Sequence, residues 1–354
     1  MFLVAVIKAV DEYQDLLRVS VANAGNDHRL GANEAPPAIV SMFLGEELTE
    51  ILEAIESGTA YKNSKDKKME IGVTSLPHFP KDTTDRNRTS PFAFTGNKFE
   101  FRMLGSTFSV AGPNIVLNTA VSEILCQFAD SLEKAASKGS DDFKAALAAL
   151  IKETFVAHKR IIFNGNNYSD EWVQEAAKRG LSNLKTTVEA LPKFVSQKSE
   201  ALFPKHGVFS KAEIHSRYEI LSEGYCKTIG IEALTMIEIT MWKIIPASVA
   251  YQNELASLLH QKKACGSYDT SMEDYLLGEI AKLSAKILQN VKTLKKVTEE
   301  AKAEEKVEAQ AAQFGGKVIQ AMAQLRQTVD ELEDLVSDKL WPLPSYAELL
   351  YSVV

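Results

Sequence analysis

The sequence predicts an α+β protein in which a strand-containing region, residues 1–115, is followed by a mostly helical region, residues 116–354. Between residues 25 and 113 the chain is rich in Gly, Pro, Asn, Thr and aromatic residues, a composition typical of strands and loops. After Pro113 the apolar residues recur at helical spacing almost to the end of the chain. The first 24 residues show the same spacing and predict one amphipathic helix that ends near Gly25.

Apolar spacing, with Gly and Pro as breakers, predicts the individual elements. A helix is expected over 38–57, after two prolines and before Gly58, and strands are expected over 69–76 and 98–104. In the helical region we expect helices over 114–136, 141–163, 170–189 and 211–259. Apolar residues that repeat every three or four positions near the carboxy terminus predict two long antiparallel helices, which form a hairpin over about residues 271–338.

Composition excludes several classes of function. With 354 residues, 45% hydrophobic and 25% charged, the chain has the composition of an ordinary globular protein. The net charge of -7 argues against a general nucleic-acid binder, because such proteins neutralise phosphates with basic side chains. The three cysteines show no CxxC spacing, which predicts neither disulfides nor a zinc site and favours a cytoplasmic protein. No segment is expected to be long and apolar enough to span a bilayer, so we expect no membrane partner.

A row of charges in the predicted strand 98–104 is the first candidate site. Lys98, Glu100 and Arg102 alternate with apolar residues, so in an extended chain they share one face while the apolar residues meet the core. A carboxylate between two cations, with Arg88 upstream, suits a site that holds a divalent metal and several anionic groups. A half-exposed edge strand shows the same alternation, and from this row alone it is the favoured interpretation.

A polar loop, residues 26–37, is the second candidate. Glu34 lies in a turn between Gly31 and two prolines, which can present its carboxylate at a set angle over a pocket. The same residues also suit a connector between helices, in which Asp27 and Glu34 cap their neighbours. The residues alone leave both interpretations open.

Several strings of residues resemble the type III glutamine synthetases. They are RLGANEAPPAIVS from residue 29, NRTSPFAFTGNKFEFRM from residue 87, IIFNGN and YSDEW between residues 161 and 172, and YCKTIGIEALTM from residue 225. The resemblance extends over essentially the whole chain. It implies ATP-dependent ligation of ammonia to L-glutamate, and a part of the glutamine synthetase catalytic sheet that is followed by the helical region.

The resemblance also implies roles for individual residues. Arg29 and Arg102 would bind the substrate glutamate. Glu34 would shield the γ-glutamyl phosphate and take a proton from ammonium. Arg88 would contact the nucleotide phosphates and the phosphoryl charge that develops during transfer.

The remaining implied roles concern cofactors. Glu100 matches a metal ligand for Mg²⁺ or Mn²⁺, which accompanies ATP in this family. Lys98 stands where the common bacterial type has an arginine, and it can supply charge to the nucleotide but not a planar fork. A second phosphate-contacting arginine of that type is replaced here by Ala93.

The family's amino-terminal β-grasp domain, its ExE pair and its metal-binding histidine do not appear in this sequence. We therefore expect the carboxy-terminal half of a synthetase, inactive by itself, from a family that forms homo-oligomers as stacked rings. One alternative is a non-catalytic assembly or regulatory fragment, favoured by the long apolar helical stripes. Another is a ligase that joins glutamate to an amine other than ammonia.

Overall fold

The computed structural model describes residues 1–32, 35–61, 89–137 and 139–351, and the backbone of residues 68–69 and 79–80. The described chain is mostly helical with a small sheet. It forms two compact units, Met1–Leu221 and Ser222–Val354. The predicted division near residue 115 separates strand-rich from helical sequence, and it stays a prediction.

The helices of the first unit are α1 (Phe2–Glu12), α2 (Gln14–Val19), α3 (Ala24–Arg29), α4 (Glu46–Ser57), α5 (Ala111–Ala136), α6 (Ser140–His158), α7 (Asp170–Lys178), α8 (Thr187–Ala190) and α9 (Gln197–Lys205). The boundary between the units falls within α10 (Lys211–Ile239). The second unit continues with α11 (Ile245–Cys265), α12 (Ser271–Lys302), α13 (Val307–Gln313), α14 (Ile319–Glu333) and α15 (Tyr346–Tyr351). Short 3₁₀ helices span Lys159–Ile161 and Leu191–Val195, and π-helical turns span Thr240–Ile244 and Phe314–Val318.

The main sheet has three short strands in the order β1, β4, β5, with β1 at Met42–Phe43, β4 at Phe92–Phe94 and β5 at Phe99–Phe101. β1 is parallel to β4, and β4 is antiparallel to β5. A second pair, β2 (Lys68–Met69) and β3 (Phe79–Pro80), is antiparallel. The predicted strand 98–104 is thus confirmed in a shorter form, whereas most of the predicted strand 69–76 lies outside the described residues.

The amino-terminal helical prediction is confirmed in its main part and wrong at its end. The backbone leaves helical geometry at Tyr13, which separates α1 from α2. A new helix, α3, starts where the first was expected to stop. The Asn23 side chain caps it by accepting a hydrogen bond from the backbone N–H of Asn26, at 2.9 Å. Residues 26–29, expected in a loop, are therefore helical.

The predicted helix over 38–57 starts eight residues late. Residues 38–45 are all buried, and they contain β1. α4 begins only after Gly45, whose φ of +80° favours glycine, and it ends as predicted at Gly58, where φ is +70°. A continuous apolar run suits a buried strand as well as a helix, so periodicity alone does not separate the two.

The predicted helices after Pro113 are present, with interruptions. α5 and α6 match their predicted ranges to within a few residues, apart from the 3₁₀ turn at the end of α6. The expected helix 170–189 is split into α7 and α8, because Gly180 adopts φ +71°. The expected helix 211–259 is α10 and α11 with a π-helical turn between them.

The predicted hairpin is present in the second unit. α12 packs along α14, and their apolar stripes supply buried residues that include Ile280, Ile287 and Leu294 on one side and Leu325 and Leu332 on the other. The helices run antiparallel, since Asn290 Nδ2 donates to Thr328 Oγ1 at 3.0 Å and Lys286 Nζ lies 3.6 Å from Glu331 Oε2.

One helical stretch, Lys211–Cys265, is long and apolar enough to meet the criteria for a membrane span. Its most apolar 18-residue window has a mean hydropathy of 1.3, and 28% of that window is buried. The expectation that no segment reaches this level was wrong. A single helix of this kind is weak evidence for a membrane, because core helices of soluble proteins share its composition. The absence of a membrane partner stays a prediction.

A buried carboxylate on α5 connects this helix to α9. Glu123 accepts hydrogen bonds from Lys205 Nζ at 2.8 Å and Gln127 Nε2 at 3.0 Å, and it lies 2.7 Å from His206 Nε2. Burial by itself raises the pKa of Glu123, but these hydrogen bonds outweigh burial and lower the pKa to about 2.

We expect Glu123→Gln to weaken the acid dependence of stability. A carboxyl whose folded pKa lies below its unfolded pKa stabilises the fold above the unfolded value, about 4.3, and that stability is lost as the pH falls through about 2. Wild type should therefore lose on the order of 2 kcal/mol more than the variant between pH 5 and pH 2. Urea denaturation at several pH values measures this. Glu133→Gln, an exposed change on the same helix, should keep the wild-type profile.

Candidate active site

The β4–β5 hairpin collects the three predicted charges on one side of the sheet. Its turn contains Gly96, whose φ of +82° lets the chain reverse between the strands. On the opposite side, the ring centroid of Phe92 lies 5.6 Å from that of Phe99 and 6.0 Å from that of Phe101; Phe92 belongs to the core of the first unit, and the two partly buried rings pack against that core. The predicted alternation of apolar and charged residues is therefore confirmed.

Glu100 is the centre of the charged side. Its Oε2 accepts hydrogen bonds from Arg102 Nε at 3.1 Å and Nη2 at 2.8 Å. Its Oε1 accepts one from Thr95 Oγ1 at 2.9 Å and lies 3.4 Å from Lys98 Nζ. The hydrogen bonds from Arg102 and Thr95 hold the pKa of Glu100 below its ordinary value, so the carboxylate is ionised at neutral pH.

Arg29, at the end of α3, reaches the chain immediately after Arg102. Its Nη2 donates to the carbonyl oxygen of Met103 at 2.5 Å, and its Nε donates to Asn26 Oδ1 at 2.9 Å. Asn26 Nδ2 donates to the same Met103 carbonyl at 2.9 Å. α3 and the end of the β5 segment are therefore joined directly at the two arginines that were predicted to bind glutamate.

A tight turn follows Arg29. The N–H of Gly31 donates to the carbonyls of Ala35 at 3.2 Å and Pro36 at 3.0 Å, with φ of +79° at Gly31. The expected role of glycine in this loop is thus confirmed. Two predicted residues, Glu34 and Arg88, lie outside the described residues, and their roles stay predictions.

The described residues do not make a complete metal site. Within the described ranges, no three His, Cys, Asp or Glu side chains form a group that could hold a metal ion. Glu100 supplies one carboxylate, and both of its oxygens already accept hydrogen bonds or face a cation. Magnesium prefers six oxygen ligands in octahedral geometry and usually takes at least one or two carboxylates together with phosphates and waters. A divalent cation therefore does not fit on these residues alone.

Two asparagines after α6 hydrogen-bond to the residues on either side of β1. Asn164 Oδ1 accepts the backbone N–H groups of residues 44 and 45, at 3.1 Å and 3.2 Å, just after β1. Asn167 Oδ1 accepts a hydrogen bond from Ser41 Oγ at 2.7 Å, before β1, and the Asn167 N–H donates to Thr89 Oγ1 at 3.3 Å. These contacts fix the chain beside position 88.

The sequence did not single out Asn26, Asn164 or Asn167 as functional residues. Asn26 lies in a segment expected to be a loop, where an asparagine is unremarkable. Asn164 lies in the string IIFNGN, which carries the family resemblance, and Asn167 follows that string. The resemblance is therefore the feature of the sequence that could have identified both residues. Their partners are 77 to 126 residues away in the chain, and no local pattern reveals such contacts.

Comparison with known proteins extends this picture to the whole chain. Residues 146–263 match the family model described as the glutamine synthetase C-terminal domain. A glutamine synthetase of Butyrivibrio fibrisolvens is 45% identical over 99% of this chain and 50% of that protein. A type-3 glutamine synthetase of Dictyostelium discoideum is 41% identical over 99% of this chain and 48% of that protein. A glutamine synthetase of Bacteroides fragilis is 38% identical over 99% of this chain and 49% of that protein.

The chain thus spans about half the length of the curated relatives it matches. The match to a C-terminal domain model and the alignments with three synthetases, each over 99% of this chain, agree with the resemblance of the motifs around Arg29 and Glu100. The chain is therefore related, along nearly its whole length, to the glutamine synthetases, a type-3 enzyme among them.

Proposed function

We propose that this chain supplies the glutamate-binding arginines and one metal carboxylate of a type-3 glutamine synthetase. One observation carries the proposal. The guanidinium of Arg29 donates to the carbonyl of Met103, so it lies against the residue that follows Arg102, and Glu100 binds Arg102 at 2.8 Å. The Arg29 guanidinium thus contacts the backbone next to Arg102, from a segment more than 70 residues away in the chain, and Arg102 in turn is paired with Glu100 on β5.

The proposed reaction has two steps. A γ-carboxylate oxygen of L-glutamate attacks the γ-phosphorus of ATP and forms γ-glutamyl phosphate, with ADP as the leaving group. Ammonium gives a proton to Glu34, and the ammonia attacks the acyl carbon, from which inorganic phosphate leaves. Arg88 stabilises the negative charge of the phosphoryl group in transfer, and Lys98 adds a positive charge near the nucleotide.

The two arginines bind the substrate rather than react with it. A guanidinium presents paired N–H groups that match the two oxygens of a carboxylate, and such charge-assisted pairs are about twice as strong as neutral hydrogen bonds. Arg29 and Arg102 are suited to hold glutamate in this way. Holding the substrate beside the nucleotide converts an encounter into a reaction of neighbouring groups.

The proposed cofactors are ATP and Mg²⁺ or Mn²⁺. Because Glu100 is one carboxylate among cations, we propose that the remaining metal ligands come from outside the described residues, and that the chain by itself has no synthetase turnover. A cytoplasmic homo-oligomer, built as stacked rings, belongs to the same proposal. The rings follow from the family that the motifs resemble, and the cytoplasm is proposed because the three cysteines are free.

A chimera tests the function directly. The half of the Butyrivibrio fibrisolvens synthetase that aligns with this chain is replaced by this chain, and glutamine formation is measured with ATP, Mg²⁺, glutamate and ammonium. We expect ATP-dependent glutamine formation by the chimera and none above background by the chain alone. The unaltered relative is the positive control, and a chimera without the aligned half is the negative control.

Each result is decisive for one part of the proposal. A folded, assembled chimera that makes no glutamine would favour a non-catalytic assembly role. A chimera that uses methylamine in preference to ammonium would favour a ligase for another amine. Turnover by the isolated chain would show that no metal ligand from outside this chain is needed.

A further inference from the structure

Asn26 uses every hydrogen-bonding group of its side chain. It is buried, and its Nδ2 donates to the carbonyls of Val21 at 2.7 Å and Met103 at 2.9 Å, while its Oδ1 accepts from Arg29 Nε at 2.9 Å. An amide has two N–H donors and one carbonyl acceptor, and here all are paired. A flipped amide would set its N–H groups against the Arg29 donor and its oxygen against two carbonyls, so its orientation is determined by its partners.

These contacts restrain one edge of the Arg29 guanidinium. Nε is held by Asn26, and Nη2 is held at 2.5 Å by the Met103 carbonyl, which also accepts from Asn26. Nη1 makes no hydrogen bond to any residue that the structure describes. An arginine side chain loses rotamer freedom when it is immobilised. Because Asn26 already binds Nε, the Arg29 side chain is partly immobilised before a ligand binds.

We propose that Asn26 is a positioning residue for Arg29, which it holds at the end of β5 so that the opposite guanidinium edge presents to a substrate carboxylate. The inference rests on the proposed function, since it takes glutamate to be the anion bound there. Asn26 itself touches no reacting atom. Its contribution is to lower the cost of ordering Arg29 when glutamate binds.

A purely structural role for Asn26 is the alternative. In that case Asn26 only joins α3 to the segment after β5, and its loss lowers stability without a specific effect on Arg29. Three variants separate the two roles. Asn26→Ala removes all three contacts, Asn26→Asp keeps an oxygen acceptor for Arg29 Nε but loses both donors, and Asn23→Ala removes the helix cap while it leaves the Arg29 contacts in place.

The readout uses the full chain with ¹⁵N-labelled arginine. The Arg29 Nε–H resonance, identified by its disappearance in Arg29→Lys, reports by its hydrogen exchange whether the guanidinium is held. Titration with L-glutamate, followed on the arginine Nε–H resonances, gives the dissociation constant. Thermal unfolding of each variant measures the loss of stability separately.

We expect Asn26→Ala to lose the slow exchange of Arg29 Nε–H and to bind glutamate about tenfold or more weakly, as for a lost hydrogen bond to a charged group. Asn26→Asp should restore slow exchange and bring the dissociation constant to within about threefold of wild type, although it loses the same two donors and thus stability. Asn23→Ala should lower the melting temperature and leave both arginine readouts as in wild type.

Three results would overturn the inference. They are a slowly exchanging Arg29 Nε–H in Asn26→Ala, equal weakening of glutamate binding by Asn26→Ala and Asn26→Asp, and a wild-type chain whose arginine resonances do not respond to glutamate. Failure of the proposed function appears elsewhere, as a chimera that makes no glutamine. The two failures are therefore distinguishable.

Discussion

Replacing Arg18 by methionine is expected to lower the free energy of unfolding of residues 1–221 by about 3 to 5 kcal/mol. Arg18 is 1% exposed, and its Nη2 lies 3.1 Å from Asp27 Oδ1. Its Nε also donates to the carbonyl of Leu184 at 2.8 Å. Methionine fills much of the volume but leaves the Asp27 carboxylate without its cation, and an uncompensated buried charge is costly.

Asp27 has other partners that keep it in place. Its carboxylate accepts the backbone N–H of Thr187 at 2.7 Å and the Thr187 hydroxyl at 2.8 Å. Asp27 lies two residues before Arg29, so the pair also secures α3, which carries a predicted substrate arginine. The loss of stability in Arg18→Met should therefore be accompanied by faster amide hydrogen exchange in α3.

A double variant is the sharpest control for this pair. Arg18→Met with Asp27→Asn removes both charges, and it should be less destabilised than the sum of the single variants, because the pair couples the two sites. Lys144→Met, which removes one partner of an exposed pair with Asp141, should stay within about 0.5 kcal/mol of wild type. Urea denaturation gives all four values. A cost below about 1 kcal/mol for Arg18→Met would contradict the prediction.

Trp172→Ala is expected to lower the free energy of unfolding of residues 1–221 by about 3 to 5 kcal/mol. Trp172 is 1% exposed, and its ring stacks on Phe163 with centroids 3.8 Å apart and an angle of 15° between the planes. The Arg179 guanidinium lies 5.4 Å from the Trp172 ring centroid. Among the described residues the indole Nε1 has no hydrogen-bond partner, so the cost comes from lost packing and the cavity left behind.

The chain provides its own control for this change. Trp242 is 73% exposed, and Trp242→Ala should change the free energy of unfolding by less than about 0.5 kcal/mol. Far-ultraviolet circular dichroism in urea follows both variants without relying on tryptophan fluorescence. Equal costs at the two positions would show that the stack of Trp172 on Phe163 contributes little. Because Trp172 follows the Asn164 to Asn167 segment, its loss should also loosen the contacts of that segment with the residues around β1.

Local patterns in the sequence predicted many of the elements. The alternation around Glu100 correctly gave a strand with one charged and one apolar side, because side chains of a strand alternate strictly. The hairpin of α12 and α14 followed from its apolar repeat. The start of α4 was missed because residues 38–45 are all buried and apolar apart from Ser41, so they show no clear hydrophobic periodicity.

The candidate site was predicted as a set of residues but not as an arrangement. The resemblance of the motifs nominated Arg29 and Arg102, which are 73 positions apart in the chain. Nothing local indicates that the Arg29 guanidinium donates to the carbonyl after Arg102, or that Asn26 holds both. Such contacts depend on how α3 packs against the segment that follows β5, and the periodicity of the sequence does not predict this packing.

By itself, the sequence determined most of the helices, the strand around Glu100 with its apolar and charged sides, and which protein family the chain resembles. These properties follow from the geometry of neighbouring residues and from the order of long, unusual strings. The tertiary structure alone decided that Arg29 and Asn26 both donate to the Met103 carbonyl, that Ser41 binds Asn167, and that Arg18 donates to the Leu184 carbonyl. The reason is physical: a hydrogen bond or ion pair needs atoms about 3 Å apart, and only the packing of distant segments brings them to that distance.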